Sequence, residues 1–591
     1  MANLDYGVIG NCQTAALVSS RGSIDWFCLP DFDSPSIFAA LLDGEKGGHF
    51  GIRCLGNHDI VQTYLPRTNI LRTEFTSEKG KFLVYDYMPR YKLDDGRYHH
   101  PAELVRYIVL VSGKPVIQIE YNPRILYGRH TTISKDEGNY IKSINYRGQY
   151  ESAYLYSNFE LADIINSREI ELTGDAFLLF SYNQKINLPD QNTIELDFER
   201  TKVYWMGWTA QNVWFPLFNE EIQRSALVLK LLTYQRSGAI IAAVTTSLPE
   251  TIGSVRNWDY RYCWIRDASM TIRVLKQIGH QSEARRFLNY VLRVIPYKRE
   301  KVQIMYGIHG QKTLKERELP WLSGFEESRP VRVGNAAYKQ RQNDIFGILL
   351  DVIHQNILHF ETAEYSLEEL WTVVRTLVRH IRNNWRSKDR GIWEIRNEKQ
   401  HFVFSKVLCW VGVDRAVKIA RILSQEQYIP EWSKLRERIR CDIEANGWNE
   451  ELGAYTQYYG SSFLDAANLL MEHYHFLDAR DPRFESTARL IYKNLSRDGL
   501  MYRYKNADDF GIPSSAFTVC TFWMIRSLCK IGEREKAAEL FRDTIKMGNH
   551  LGLYSEDMDF KTRSLLGNFP QAYSHLALID AAITLNEEFA T

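Results

Sequence analysis

The sequence predicts a multidomain protein, an N-terminal antiparallel β-sandwich followed by an all-α domain whose helices form a closed double ring. Three observations predict it. From residue 3 to about 214 the apolar runs are short, strand-like and separated by turn residues. After about residue 220 the period changes, and twelve helical patterns, mostly in pairs, run to the end of the chain. These pairs show no self-similarity at a fixed period of about 33–47 residues, which disfavours an open helical array. A chain of 591 residues also exceeds one simple core and suggests roughly two to four domains.

The strand-like runs begin at 7–10 (GVIG), 15–19 (AALVS) and 23–28 (SIDWFC), punctuated by Gly, Asn and Ser. They continue at 69–75, 82–87, 104–111, 116–121, 176–181 and 202–205. The first helical pattern, 221–233, is densely apolar without a breaker. The others cover 268–278, 282–294, 335–359, 366–384, 404–423, 431–445, 462–476, 482–495, 516–531, 533–547 and 571–585. The expected division is a sandwich over 1–213, a linker over 214–221 and a helical domain over 222–591.

Composition removes several function classes. An apolar fraction of 45%, a charged fraction of 25% and a net charge of +1 describe an ordinary globular protein, with no basic excess for nucleic acid or an anionic membrane. The N-terminus has neither a basic region nor an apolar core of the signal-peptide kind, and no run approaches a membrane span. The eight cysteines lie scattered among apolar neighbours, as reduced buried thiols in a cytoplasmic protein. No spacing suggests a metal site, and no cofactor is expected. Oligomeric state is left open, a homo-oligomer included.

In a double ring the longer loops at one end form the pocket, and here they carry the unusual residues: 256–267, 303–334, 389–401, 498–515 and 555–571. Within 391–396 (GIWEIR), Glu394 follows Trp393 among apolar neighbours, a setting that suits a carboxylic acid held protonated near neutral pH; an ordinary helix entry with a half-buried tryptophan is the plainer reading of the hexapeptide alone. In 256–267 (RNWDYRYCWIRD), Arg266 and Asp267 offer donors and acceptors to adjacent hydroxyls, with Trp264 and Tyr260 as walls; a capping aspartate with an arginine packed over tryptophan is the plainer alternative. Residues 305–310 (MYGIHG) add Tyr306 and His309; the latter has no nucleophile partner, and taken singly a satisfied loop histidine is its plainer reading. In 554–559 (YSEDMD), Glu556 lies among small and turn-forming residues, where a carboxylate can stay ionised and activate water. One carboxyl kept protonated and one ionised are what glycosidic cleavage needs.

Several longer motifs, in order, resemble glycoside hydrolase family 15, the glucoamylase and bacterial or archaeal trehalase family. They are 9–18 (IGNCQTAALV), 22–26 (GSIDW), 32–36 (FDSPS), 256–268 (RNWDYRYCWIRDA), 332–337 (RVGNAA), 391–396 (GIWEIR) and 566–575 (LGNFPQAYSH). The resemblance implies a β-sandwich joined to an (α/α)6 barrel and an inverting mechanism. In it Glu394 is the general acid and Glu556 the general base. Arg266 and Asp267 bind hydroxyls of the terminal glucose, with Tyr260, Trp264 and Trp393 shaping that subsite. Tyr306 and His309 are further candidate substrate contacts, apart from what the resemblance implies.

Two positions depart from the family pattern. Fungal glucoamylases carry a second glutamate directly after the general acid, where this chain has Ile395. The resulting Trp-Glu-Ile-Arg form resembles the trehalase-like branch, in which Arg396 meets the leaving sugar. Relatives often show an acidic residue within 514–517, here Ser-Ser-Ala-Phe. The expected function is an exo-acting inverting hydrolase that releases glucose from the non-reducing end of a small α-glucoside or α-glucan, trehalase-like or glucoamylase-like. The alternative is a non-catalytic or differently specific sugar-binding protein that keeps the glucoamylase fold. Retention of Glu394 and Glu556 in their motifs counts against that alternative.

Overall fold

The computed structural model describes residues 3–295, 302–359, 366–396 and 398–590. Its N-terminal part is two antiparallel sheets packed face to face. One runs, in spatial order, Tyr6–Gly10, Ala15–Ser19, Ser23–Cys28, His49–Cys54, Val116–Asn122 and Glu169–Glu171, with Ser36–Phe38 paired to Ser23–Cys28. The other runs Thr132–Asp136, Ile141–Asn145, Ser152–Ser157, Ala176–Tyr182, Glu103–Gly113, Gly80–Tyr87, Leu71–Ser77 and His58–Tyr64.

Side chains alternate along each strand, and in the strands Tyr6–Gly10, Ala15–Ser19 and Ser23–Cys28 of the first sheet both faces are largely buried. Ile9, Ala16, Val18, Ile24 and Phe27 fill the space between the sheets. Their neighbours Val8, Leu17 and Trp26 belong instead to the apolar core shared with the helices. This is why 7–10 and 15–19 read as continuous apolar runs rather than as alternating ones. A buried ion pair, Arg106 with Asp86 at 2.7 Å, crosses between strands of the second sheet, and Arg106 also donates to the carbonyls of Phe50 and Gly22 in the first.

Two helices accompany the sandwich, α1 (Leu161–Ile165) and α2 (Gln191–Thr209). The strand expected at 202–205 is corrected, because it lies inside α2. Ile194, Phe198, Thr201, Trp205 and Trp208 form that helix's buried stripe at helical spacing, and Asp190 caps its start by accepting the Thr193 N–H at 2.8 Å. A four-residue window of Val, Tyr and Trp is too short to show this period.

The remaining helices are α3 (Asn219–Leu231), α4 (Ile265–Gln277), α5 (Gln281–Val294), α6 (Asp344–Asn356), α7 (Leu367–Asn384), α8 (Val403–Ile422), α9 (Ile429–Gly447), α10 (Leu470–His473), α11 (Pro482–Leu495), α12 (Thr518–Lys530), α13 (Arg534–Ile545) and α14 (Ala572–Ala590). Helices α4, α6, α8, α10 with its preceding turn Ala466–Leu469, α12 and α14 follow one another as an inner ring, and α14 closes on α4. The others pack outside them, making an (α/α)6 barrel. Two expected helices are shorter than their patterns. Over 335–359, Asn335 caps only a single turn, Ala336–Lys339, before α6 begins. Over 462–476, Asp465 caps the turn that leads into four-residue α10.

The sandwich is fastened to the barrel by buried hydrogen bonds. Trp26 donates its indole N–H to the Val244 carbonyl at 2.8 Å, and Tyr234 donates its hydroxyl to Asp31 at 2.7 Å. Seven cysteines are buried; Cys441, on α9, is exposed, which corrects its reading as a buried thiol. Among the described residues no helix is long and apolar enough to cross a membrane.

Candidate active site

At the N-terminal ends of the inner helices the loops enclose a cavity. Glu394 and Glu556 both line it, with Tyr260, Trp264, Arg266, Asp267, Trp393 and Arg396. Eight of the ten residues singled out in the sequence are therefore brought together. Tyr306 and His309 are not. Tyr306 is buried in the strand Met305–Tyr306 paired with Cys263–Trp264, and its hydroxyl accepts the Gln303 N–H. His309 faces the sandwich, 3.4 Å from Asp31 and edge-on to Tyr234. The expectation that these two touch substrate is corrected: the hairpin supports the Trp264 strand from behind.

The segment 256–268 alternates its duties. Tyr260 and Trp264 point into the cavity, while Asp259 and Arg261 form a buried pair at 2.7 Å on the opposite side. Arg261 also donates to the Ser34 carbonyl of the sandwich at 2.7 Å, and Asp259 accepts the Gly334 N–H at 3.0 Å. Immediately after Trp264 the chain enters α4, whose first turn holds Arg266 and Asp267. Arg266 donates to Asp267 at 2.7 Å and to the Ile392 carbonyl at 2.8 Å. Asp267 is thus a gripped acceptor rather than a helix cap, its remaining lone pairs turned to the cavity.

Glu394 sits in a turn opened by Gly391, whose φ of 66° favours glycine and where a Cβ would lie 2.9 Å from the Phe402 ring. Glu394 itself has φ 59°, an uncommon conformation for a residue with a side chain. Gln340 steadies it by donating to its carbonyl at 2.9 Å, and Trp264 donates its indole N–H to Oε1 at 2.7 Å. Burial pushes the Glu394 carboxyl above its ordinary range; Arg266, the Trp264 N–H and Arg396 pull against this, and Asp267 adds to it. Trp393 beside it donates to Asp465 at 2.8 Å.

Glu556 immediately precedes the short strand Asp557–Met558 of a three-stranded unit with Ala516–Phe517 and Leu565–Leu566. Its N–H donates to the Asn568 carbonyl at 3.1 Å and its carbonyl accepts the Thr518 N–H at 3.0 Å. Behind this loop His575 of α14 accepts the Tyr554 N–H at 3.2 Å. Tyr260 donates its hydroxyl to Glu556 Oε1 at 2.5 Å. Burial, then the Glu250 carboxylate, push Glu556 upward, while the Tyr260 hydroxyl and Arg503 pull it down. A carboxylate so placed becomes a base only above the usual range of glutamate.

Arg396 lies on the rim, its guanidinium 4.0 Å from the centre of the Trp258 ring and its N–H donating to Asp509. Sequence reasoning did not single out Glu250, Trp258, Arg503, Phe517 or Tyr573, which also line the cavity. Trp258 and Tyr573 lie inside motifs already quoted, and Arg503 lies in a flagged loop. Glu250, between Pro249 and Thr251 outside any regular element, carries no local signal.

Two carboxyls in one cavity, each held by its own aromatic donor and accompanied by a buried Arg–Asp pair, are an arrangement suited to glycosidic cleavage. The comparisons agree. Glycosyl hydrolases family 15 matches residues 217–583, and the trehalase-like N-terminal family matches 5–146. The chain is 36% identical to a trehalase of Mycolicibacterium smegmatis, covering 98% of this chain and 90% of the relative. It is 34% identical to a trehalase of Thermoplasma volcanium, covering 98% and 93%. A bacterial glucoamylase complexed with acarbose superposes with a TM-score of 0.71 at 13% identity, covering 99% of this chain and 94% of that one. The chain belongs to glycosyl hydrolases family 15 and is a glycoside hydrolase.

Proposed function

We propose that the enzyme hydrolyses an α,α-linked diglucoside of the trehalose kind, with inversion at the attacked carbon. The observation that carries the two-carboxylate reading is that Glu394 and Glu556 come from different loops into one cavity and are each held by a separate donor, Trp264 and Tyr260. Support for the substrate comes from the full-length relatives, named trehalases, and from Ile395 at the rim, which leaves no second carboxylate directly after the acid.

In the reaction one glucose lies against Arg266 and Asp267, whose guanidinium and carboxylate hold adjacent hydroxyls. Protonated Glu394 transfers its proton to the glycosidic oxygen as the bond to the anomeric carbon breaks. On the opposite face of the ring Glu556 takes a proton from water while the water oxygen bonds to that carbon. Inversion needs room for this water, a carboxyl separation of roughly 6.5–9.5 Å. Arg396 and Trp258 face the departing glucose.

Proton NMR of the first turnovers on trehalose tests both claims. The departing glucose leaves as the α anomer and inversion makes the other β, so equal amounts appear before mutarotation. Two equivalents of α-glucose would refute inversion. Absence of turnover on trehalose, with glucose released from maltose or maltooligosaccharides, would refute the substrate.

A further inference from the structure

Glu250 is a third glutamate on the wall of the cavity, 6% exposed. It is fixed to the Glu556 loop through its neighbour: Gly567 donates its N–H to the Pro249 carbonyl at 2.8 Å, and the same glycine packs against the Glu556 side chain. Its carboxylate takes Arg503 Nη2 at 2.9 Å and stands 3.6 Å from Arg256 Nη1. Arg256 is anchored in turn by Asp508 at 2.6 Å, which also accepts the Tyr504 hydroxyl at 2.6 Å. Arg503 is buried and held over the Phe517 ring at 5.4 Å.

The charged and titratable groups around Glu556 are Tyr260, which donates to it, Arg503, Glu250 and the adjacent Asp557. Those around Glu250 are Arg503, Arg256, Tyr260 and Asp557. One buried guanidinium therefore serves two carboxylates and is hydrogen-bonded to Glu250. An arginine released inside a low-dielectric site turns to the nearest remaining anion, because an unpaired buried charge is costly.

We propose that Glu250 is a positioning residue for the general base: by binding Arg503 it keeps that guanidinium from pairing with Glu556, so that Glu556 remains basic enough to take a proton from water. The proposal rests on Glu556 being the base. Glu250 adds its own negative charge to the same end, since a like charge raises the proton affinity of Glu556.

The test is the acidic limb of the kcat/KM profile against pH, which reports the base in the free enzyme. In Glu250→Gln that limb should move to lower pH by at least about half a unit, a threefold loss of proton affinity, and the plateau should fall about tenfold. Glu250→Asp, which keeps the charge, should hold the limb within about 0.2 unit of wild type. The double variant Glu250→Gln/Arg503→Met removes the competing cation and should return the limb toward wild type; circular dichroism melts verify that each variant is folded. A Glu250→Gln limb that stays in place or moves up overturns the proposal, whatever happens to the plateau. A folded Glu556→Gln variant that keeps turnover would instead refute the base assignment, and so separates the two failures.

Discussion

The rings of Tyr260 and Trp264 stand 5.2 Å apart, and each passes its hydrogen-bond donor to a different carboxyl, Tyr260 to Glu556 and Trp264 to Glu394. One short stretch of backbone therefore fixes both halves of the proposed acid–base pair. Each bond favours the ionised form of its acceptor, so removing either donor raises that carboxyl's pKa. The consequences fall on opposite limbs of the rate profile. Tyr260→Phe should move the acidic limb of kcat/KM upward by about half to one pH unit, because the base then needs a higher pH to ionise. Trp264→Phe should move the basic limb upward by a similar amount, because the acid then keeps its proton longer. Paired profiles in which the same limb moves in both variants would exchange or remove these roles.

Removing the carboxylates themselves should separate chemistry from binding. Glu394→Gln and Glu556→Gln keep size and hydrogen-bonding capacity but cannot exchange a proton, so kcat should fall by about 10²–10⁴-fold. Sugar affinity, measured by calorimetry with an unreactive glucoside analogue, should change less than about tenfold. An activated glucoside, whose leaving group needs no proton, should restore much of the turnover in Glu394→Gln and none in Glu556→Gln.

How much of this was legible in the sequence follows from the range of the interactions. The sandwich, the twelve barrel helices and eight cavity residues have local signatures: a period, or an acid beside a tryptophan. Helix α2 was missed at 202–205 because its buried stripe spans fifteen residues, from Ile194 to Trp208. Tyr306 and His309 belong to one of the long loops that carry the candidates, yet their partners, Gln303 and Asp31, depend on how the hairpin and sandwich meet. Glu250 was invisible because its role needs Arg503, more than 250 positions away, and nothing near it in the chain is periodic or unusual.

Gly567 gives a steric prediction. Its φ of 73° favours glycine, and a Cβ there would lie 2.8 Å from both Cβ and Oε2 of Glu556. Gly567→Ala should cost about 1–3 kcal/mol in stability for the forced backbone. It should also push the base out of line and lower kcat about 100-fold, since a displacement on the order of 1 Å is enough. Thermal melts and steady-state rates on one preparation check this; a variant with unchanged kcat would mean that Glu556 tolerates the displacement.

The contribution of the sandwich can be tested at Arg261. This side chain is buried with Asp259 and reaches across to Ser34, so it ties the back of the 256–268 segment to the N-terminal sheets. Arg261→Met should destabilise the protein by about 3–5 kcal/mol, because Asp259 is left buried without its partner. Asp259→Asn/Arg261→Met, which removes both charges, should recover part of that loss. Denaturant titrations of the wild type, Arg261→Met, Asp259→Asn and the double variant form a double-mutant cycle, and a coupling energy near zero would show that the pair is not what fastens the segment.

Arg396 is the proposed contact for the departing sugar at the rim. Its guanidinium is stacked on Trp258 at 4.0 Å and lies 3.5 Å from Glu316, and its backbone N–H donates to Asp509, which fixes the main chain that carries it. These contacts pre-set the side chain, so a hydrogen bond to a departing sugar is made at little cost in rotamer freedom. Truncation to alanine should remove an interaction of about 1.5–3 kcal/mol, the range for a charged hydrogen bond, and lower kcat/KM on a diglucoside about 10–100-fold. On an aryl α-glucoside, whose leaving group lacks sugar hydroxyls, the same change should lower kcat/KM less than about threefold. An equal loss on both substrates would move Arg396 from the leaving-sugar side to the support of Glu394 and the loop that carries it.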